Sequence, residues 1–255
     1  MEAVASRWMA RRAVKRLLAT APDPSLARPL GYLDIFQFYY PLALTSLLNM
    51  GIQPIVTFFL GRGRFPLESL AVLPVVNSLV FLFRTFGLAG QETTIAMLSR
   101  ERESFAIVRR FSWWLAAASS LGLALLAWTP LLDVWLGHVS GLDPSLARFA
   151  VDPVRILALM PAMTVWMSWQ RAVLVSSKAT RAVTVATGLE VAGVVVVMVL
   201  GVAFGSVGIV AAAWALVFGR LAGNTFLIRS VAHAARTVFA PRPFPGTGRA
   251  ATIES

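Results

Sequence analysis

The stretch Leu67–Met97, LESLAVLPVVNSLVFLFRTFGLAGQETTIAM, decides how this chain is read. At about 1.5 Å per helical residue it exceeds the roughly 30 Å hydrocarbon core of a bilayer. Arg84 stands near its middle, too far from either end for its guanidinium to reach a membrane surface. Asn77, Arg84 and Gln91 follow one another at intervals of seven and share a helical face. Ser78, Thr85 and Glu92 repeat that interval beside them, so the two rows form one polar arc on an apolar helix. A charge at mid-membrane costs at least about 2.5–3.5 kcal/mol and is tolerated facing a bundle interior or a watery cavity. Two readings follow. Arg84 pairs with Glu92 or with backbone and fixes helix packing, or the arc lines a solute pathway.

The surrounding composition supports a membrane protein. Of 255 residues, 57% are hydrophobic and 14% charged, with mean hydropathy +0.72. Cysteine is absent, which excludes disulfides and thiolate metal sites. The net charge of +11 does not point to nucleic acid, because the basic residues fall mostly between apolar segments. The two histidines, His138 and His233, are placed in an outer loop and the tail, so no metal cluster is expected. Walker-type, G-x-S-x-G and H-E-x-x-H patterns are missing, and the acids are too scattered for an acid/base pair. No enzyme and no cofactor is expected.

Residues 1–33 read as a basic cytoplasmic lead-in or interlobe linker, without the apolar core of a signal peptide. Six membrane helices are expected within residues 34–231: Asp34–Leu60, Leu67–Met97, Phe105–Leu136, Phe149–Ser176, Thr180–Ala203 and Val207–Val231. Trp113, Trp114, Trp128 and Trp135 lie near the ends of the third, as interfacial belts require. Residues 232–255, rich in Pro, Gly and Arg, read as a disordered cytoplasmic tail. With the N-terminus inside, 16 Lys/Arg fall in cytoplasmic segments, and Arg62, Arg64 and Arg148 fall outside. That asymmetry predicts both termini in the cytoplasm of a cell-membrane protein of inner-membrane type.

Arg84, Arg155, Arg171 and Arg220 remain inside the spans, with Glu92, Asp152 and Glu190. Arg84, Glu190 and Arg220 fall near mid-depth. Glu190 lies fourteen residues before Phe204 and Arg220 fourteen after Ser206, so the two can pair across the hairpin as structural glue. Asp152 and Arg155, three apart, can pair locally. Arg171 reads as a residue that snorkels to the inner surface. Arg155 and Trp166 share nearly one face, with Gln170 beside it, and Pro161 between them frees a carbonyl that needs a partner. The surplus of arginine suits an anionic solute, since guanidinium forks match carboxylate and phosphate oxygens. Gly219-x-x-x-Gly223 permits close helix contact, to which Gly188, Gly193 and Gly201 add, and the Met residues read as packing.

Phe36–Arg62, FQFYYPLALTSLLNMGIQPIVTFFLGR, resembles the start of a lobe in the MATE-like multidrug/oligosaccharidyl-lipid/polysaccharide flippase superfamily. The resemblance is closest to the second, C-terminal lobe of progressive ankylosis (ANKH) family transporters. It rests on Pro41-Leu42-Ala43, Gln53-Pro54-Ile55-Val56, Glu92, Trp128-Thr129-Pro130, Pro153-Val154-Arg155-Ile156 with Pro161, and Gly205–Gly223, and it spans about Asp34–Ile228. It implies export of small anions and puts Glu92 and Arg155 on matching positions. Arg84 matches no basic position of the family.

The expectation is an all-α polytopic membrane protein, a single six-helix MATE-like lobe that is half of a two-lobed transporter. It would export a small anionic or lipid-linked solute by alternating access. Arg84, Arg155, Asn77, Gln91 and Gln170 are the candidate solute ligands. Glu92 and Glu190 are the candidate coupling residues, and Asp152 and Arg220 the candidate structural partners. The expected partners are the lipid bilayer, the anion, and either a second copy or a missing N-terminal lobe. The alternatives are a non-transporting membrane subunit or fragment and, against the positive interior, a drug/cation antiporter.

Overall fold

A computed structural model describes residues 31–100, 105–177 and 179–238. The chain divides between Tyr40 and Pro41 into two compact units. In the first, the opening turns of helix α1 (Tyr32–Leu60) expose Tyr32, Leu33, Phe36, Tyr39 and Tyr40. The remainder of the lead-in, to residue 30, and the expected tail from residue 239 lie outside the described residues.

The second unit is helical. Among the described residues there is no strand, and one isolated parallel bridge joins Arg64 to Val207. After α1 come α2 (Pro66–Arg100) and α3 (Phe105–Ala127). A short turn, Leu131–Asp133, then runs into the π-helical segment Val134–Val139. α4 (Pro144–Ile156) passes through a 3₁₀ turn, Leu157–Leu159, into α5 (Met160–Ser176). α6 (Thr180–Ala203) and α7 (Gly208–Val238) complete the order. Among the described residues six stretches are long and apolar enough to cross a membrane, with α4 and α5 together forming one of them. The protein is therefore an all-α multi-pass membrane protein.

The boundaries depart from expectation in three places. The third helix ends at Ala127, not Leu136, because Trp128-Thr129-Pro130 breaks it and the chain resumes in another helical form. The fourth span begins at Pro144, where the Asp143 side chain accepts the Ser145 backbone N–H at 2.9 Å and caps the helix. That hydrogen bond and one from the Ser145 hydroxyl hold the Asp143 carboxyl below its ordinary pKa. The last helix continues through Val238, so residues 232–238 of the expected tail are helical.

Pro161 restarts the helix after the 3₁₀ turn. The Leu157 carbonyl accepts the Met160 N–H, and the Ala158 carbonyl accepts the Ser120 hydroxyl from α3. The break is thus satisfied by protein on both counts.

Two apolar cores lie along the helices with a polar layer between them. One gathers Leu79 and Val80 of α2, Met160 and Met163 of α5, Val194 and Met198 of α6 and Val217 of α7. The other gathers Leu98, Trp169, Val173, Val183, Ala186, Leu227 and Val231. Trp166 stacks on Trp169 at 4.6 Å and meets Trp113 at 5.0 Å, which ties α5 to α3. Outward-facing Trp214, Phe218 and Leu221 on α7 suit a lipid surround.

Glycine brings α6 and α7 together. A Cβ on Gly219 would meet the Glu190 carbonyl oxygen at 2.7 Å, and one on Gly193 would meet the Gly219 Cα at 3.0 Å. Gly201 and Gly223 are similarly close to Ala211 and Met167. Gly188, expected in the same set, has nothing within 4 Å of its Cβ position and takes no part. Gly219→Ala should therefore lower stability by about 1–3 kcal/mol through overpacking. Gly188→Ala should be neutral or stabilising by up to about 1 kcal/mol. Unfolding midpoints of the two variants in one detergent check this pair.

Candidate functional site

The polar layer surrounds a cavity of about 280 Å³. Its charges come from four helices: Arg84 of α2, Arg171 of α5, Glu190 of α6 and Arg220 of α7. Asn77 and Gln91 line it on either side of Arg84, so the interval of seven delivers one face to the cavity. Asn49 and Gln53 of α1 line it too, four residues apart.

Glu190 is 2% exposed and holds the cluster together. Its Oε1 lies 3.1 Å from Arg220 Nη2, and its Oε2 lies 3.9 Å from Arg171 Nη2. Arg220 also donates from Nη1 to the Met167 sulfur at 3.0 Å. Arg171 donates to the Thr187 hydroxyl at 3.2 Å, and that hydroxyl in turn donates to the Val183 carbonyl. Arg84 has no carboxylate partner among the described residues. Its Nε donates to the Thr164 hydroxyl at 3.1 Å, and Thr164 donates to the Met160 carbonyl. Behind Arg220, Asn224 donates to the carbonyls of Met163 and Arg220.

Three guanidinium groups thus face one carboxylate. Arg171 Nε, Arg220 Nε and Glu190 Oε2 are buried without a hydrogen-bond partner. Buried polar atoms are ordinarily satisfied, by water or a solute where protein does not reach. The arrangement can hold an anion and can orient it through several N–H donors.

The residues singled out from sequence separate into two groups. Arg84, Asn77, Gln91, Glu190 and Arg220 come together at the cavity, and the hairpin pairing of Glu190 with Arg220 is present. Arg155 stands apart: it is exposed and donates from Nε to the Ala127 carbonyl at 3.3 Å. Asp152 and Glu92 are exposed and do not line the cavity; Glu92 lies on the α2 row, with Ser78, that turns outward from the row carrying Arg84. The pairing of Arg84 with Glu92 is therefore replaced by its bond to Thr164. Gln170 is buried between α5 and α7, where its Nε2 donates to the Asn224 carbonyl at 3.2 Å.

Arg171 is the main revision. Its side chain turns inward to Thr187 and Glu190 instead of reaching the membrane surface. The signal was present: Thr164, Ser168 and Arg171 fall at i, i+4 and i+7 and mark one polar face. The Asn49 and Gln53 pair carries the same kind of signal on α1. Met160 and Met167 line the cavity as well as packing. Among the described residues no three His, Cys, Asp or Glu side chains gather as a metal site would require.

Removing Glu190 would leave two buried arginines without their counter-charge. Glu190→Ala should lower stability by about 3–5 kcal/mol. Arg84→Gln breaks no ion pair and should change it by about 1 kcal/mol or less. Thermal unfolding of the purified variants reads both. In comparisons with known proteins, no family model, no curated protein and no solved structure matches this chain.

Proposed function

We propose that this protein is a secondary transporter, or one lobe of a transporter, that moves a small anionic solute across the membrane through the arginine-lined cavity. The observation that carries the reading is the excess of three guanidinium groups over one carboxylate around a cavity within the membrane-spanning helices. Charge placed there is costly to maintain, and a structural role alone needs one Arg–Glu pair, not two further arginines. Arg84, with no carboxylate partner among the described residues, is the leading solute ligand. Asn77 and Gln91 supply neutral hydrogen bonds around it. Glu190 is the leading coupling residue, because it sits among the arginines while Glu92 does not.

The motif resemblance to the MATE-like superfamily, and to the second lobe of progressive ankylosis family exporters, supports the same class of function. It also supports alternating access by movement of one lobe against another, and the Lys/Arg asymmetry between segments supports a cell membrane with cytoplasmic termini. Asn49 and Gln53 are exposed inside the apolar stretch Ala43–Leu60, and Glu92 is exposed on α2. Polar groups there favour cover by protein or water over lipid. They fit a second copy of the chain or a separate partner lobe, and equally a membrane subunit that does not itself transport. A drug/cation antiporter fits less well, because the cavity is positive.

The test is anion flux in liposomes containing the purified chain. Arg84→Gln should reduce flux by at least about tenfold while the protein remains folded, the loss of a charge-assisted contact of about 1.5–3 kcal/mol. Arg155→Gln should retain flux within about twofold, because its side chain lies away from the cavity. Equal flux from the wild type and Arg84→Gln would overturn the assignment.

A further inference from the structure

We infer that the cavity is matched to a solute of charge −2, a small dianionic oxyanion, and that Glu190 sets this valence. The inference rests on the anion reading above and adds to it the charge of the solute. Arg84, Arg171 and Arg220 contribute +3 and Glu190 contributes −1, so the lining carries +2. Among the described residues no other charged side chain lines the cavity. Apolar cores lie along the helices to both sides, so neighbouring protein charge does not dilute the surplus.

Coulomb energy scales with the product of the charges, and it is largest where the dielectric is low. A dianion brings the cluster to neutrality. A monoanion leaves an unpaired positive charge, and a trianion leaves a negative one. The donors are in place for oxygen acceptors. Arg84 spends only its Nε on protein among the described residues, which leaves its terminal N–H groups for oxygen acceptors. The cavity, at about 280 Å³, lies at the lower end of ligand sites and admits a small solute. Glu190 already occupies one fork of Arg220. It therefore acts as a resident anion that limits how much further negative charge the site accepts.

Sulfate and perchlorate separate charge from geometry, since both are tetrahedral XO₄ ions and they differ by one charge. The experiment is calorimetric binding of each ion to the full chain in zwitterionic nanodiscs. The wild type should bind sulfate at least about tenfold more tightly than perchlorate, a 1.4 kcal/mol preference. Perchlorate sheds water more readily, so hydration alone predicts the opposite order. Arg84→Gln, which lowers the lining to +1, should abolish the preference. Glu190→Gln, which raises it to +3, should tighten sulfate more than perchlorate.

Sulfate binding with perchlorate equal or stronger would overturn the dianion inference and leave the anion reading standing. A preference for sulfate that survives Arg84→Gln would also overturn it. Binding of neither ion would overturn the anion reading itself. Binding without flux would remove only transport. Should Glu190→Gln fail to fold, the wild-type ratio and Arg84→Gln still decide the outcome. Methyl phosphate at alkaline pH and phosphatidate carry the same headgroup chemistry. Displacement of sulfate by methyl phosphate supports a free solute, displacement by phosphatidate alone supports a lipid headgroup, and displacement by neither overturns extension of the site to phosphate dianions.

Discussion

The carboxylate of Glu190, held between Arg220 and Arg171, is the interaction on which the rest of the bundle depends. Each of these charges costs several kcal/mol to remove from water, and only close pairing offsets that cost. The 3.1 Å approach to Arg220 requires α6 and α7 to lie nearly in backbone contact. Gly193 and Gly219 make that approach sterically open. In lipid, where apolar side chains gain little by leaving one apolar surround for another, such packing and polar contact hold helices together. The same residues therefore serve folding and the cavity, and neither role can be altered without the other.

The layering follows from this. A polar cluster in mid-helix needs apolar packing on both sides to keep the backbone rigid around it. The chain supplies it on each helix in turn: Met160 and Met163 on one side of Thr164 and Ser168, Val173 and Leu174 on the other. α6 repeats the plan around Glu190 with Val194 and Ala186, and α7 repeats it around Arg220 and Asn224 with Val217 and Leu227. The 3₁₀ turn Leu157–Leu159 leads into α5, whose polar face meets the others at the cavity.

Much of the fold was legible, because spans in lipid must be long, apolar and internally hydrogen-bonded. Each of the six expected segments kept one or both ends to within about two residues, within the usual fraying of helix termini. The third starts at Phe105 as expected but stops short at Ala127, because Trp128-Thr129-Pro130 is a break that hydropathy does not register. The face of α2 was legible from the interval of seven, but an interval cannot say which of two adjacent rows points inward. That is why Asn77 and Gln91 reach the cavity and Glu92 does not. Arg171 was misread because a long side chain near a helix end has two physically reasonable directions. Only a partner decides between them, here Thr187 and Glu190 on another helix. The local partner of Arg155 was not legible for the complementary reason: the carbonyl it meets, on Ala127, is freed only where α3 breaks.

The short loop after α1 bears on how the chain is made. Arg64 accepts the Gly208 N–H through its carbonyl at 3.1 Å, and the Ser69 hydroxyl accepts the Ile209 N–H at 3.2 Å. The first turn of α7 is therefore capped by residues synthesised long before it. Until α6 and α7 leave the ribosome, the loop and Ser69 lack these partners. When the hairpin inserts, its exposed amides find acceptors already waiting at the membrane. Early and late parts of this bundle are thereby joined once α7 has been made, and Gly63, whose Cβ would meet Gly208 Cα at 2.9 Å, keeps the docking place open.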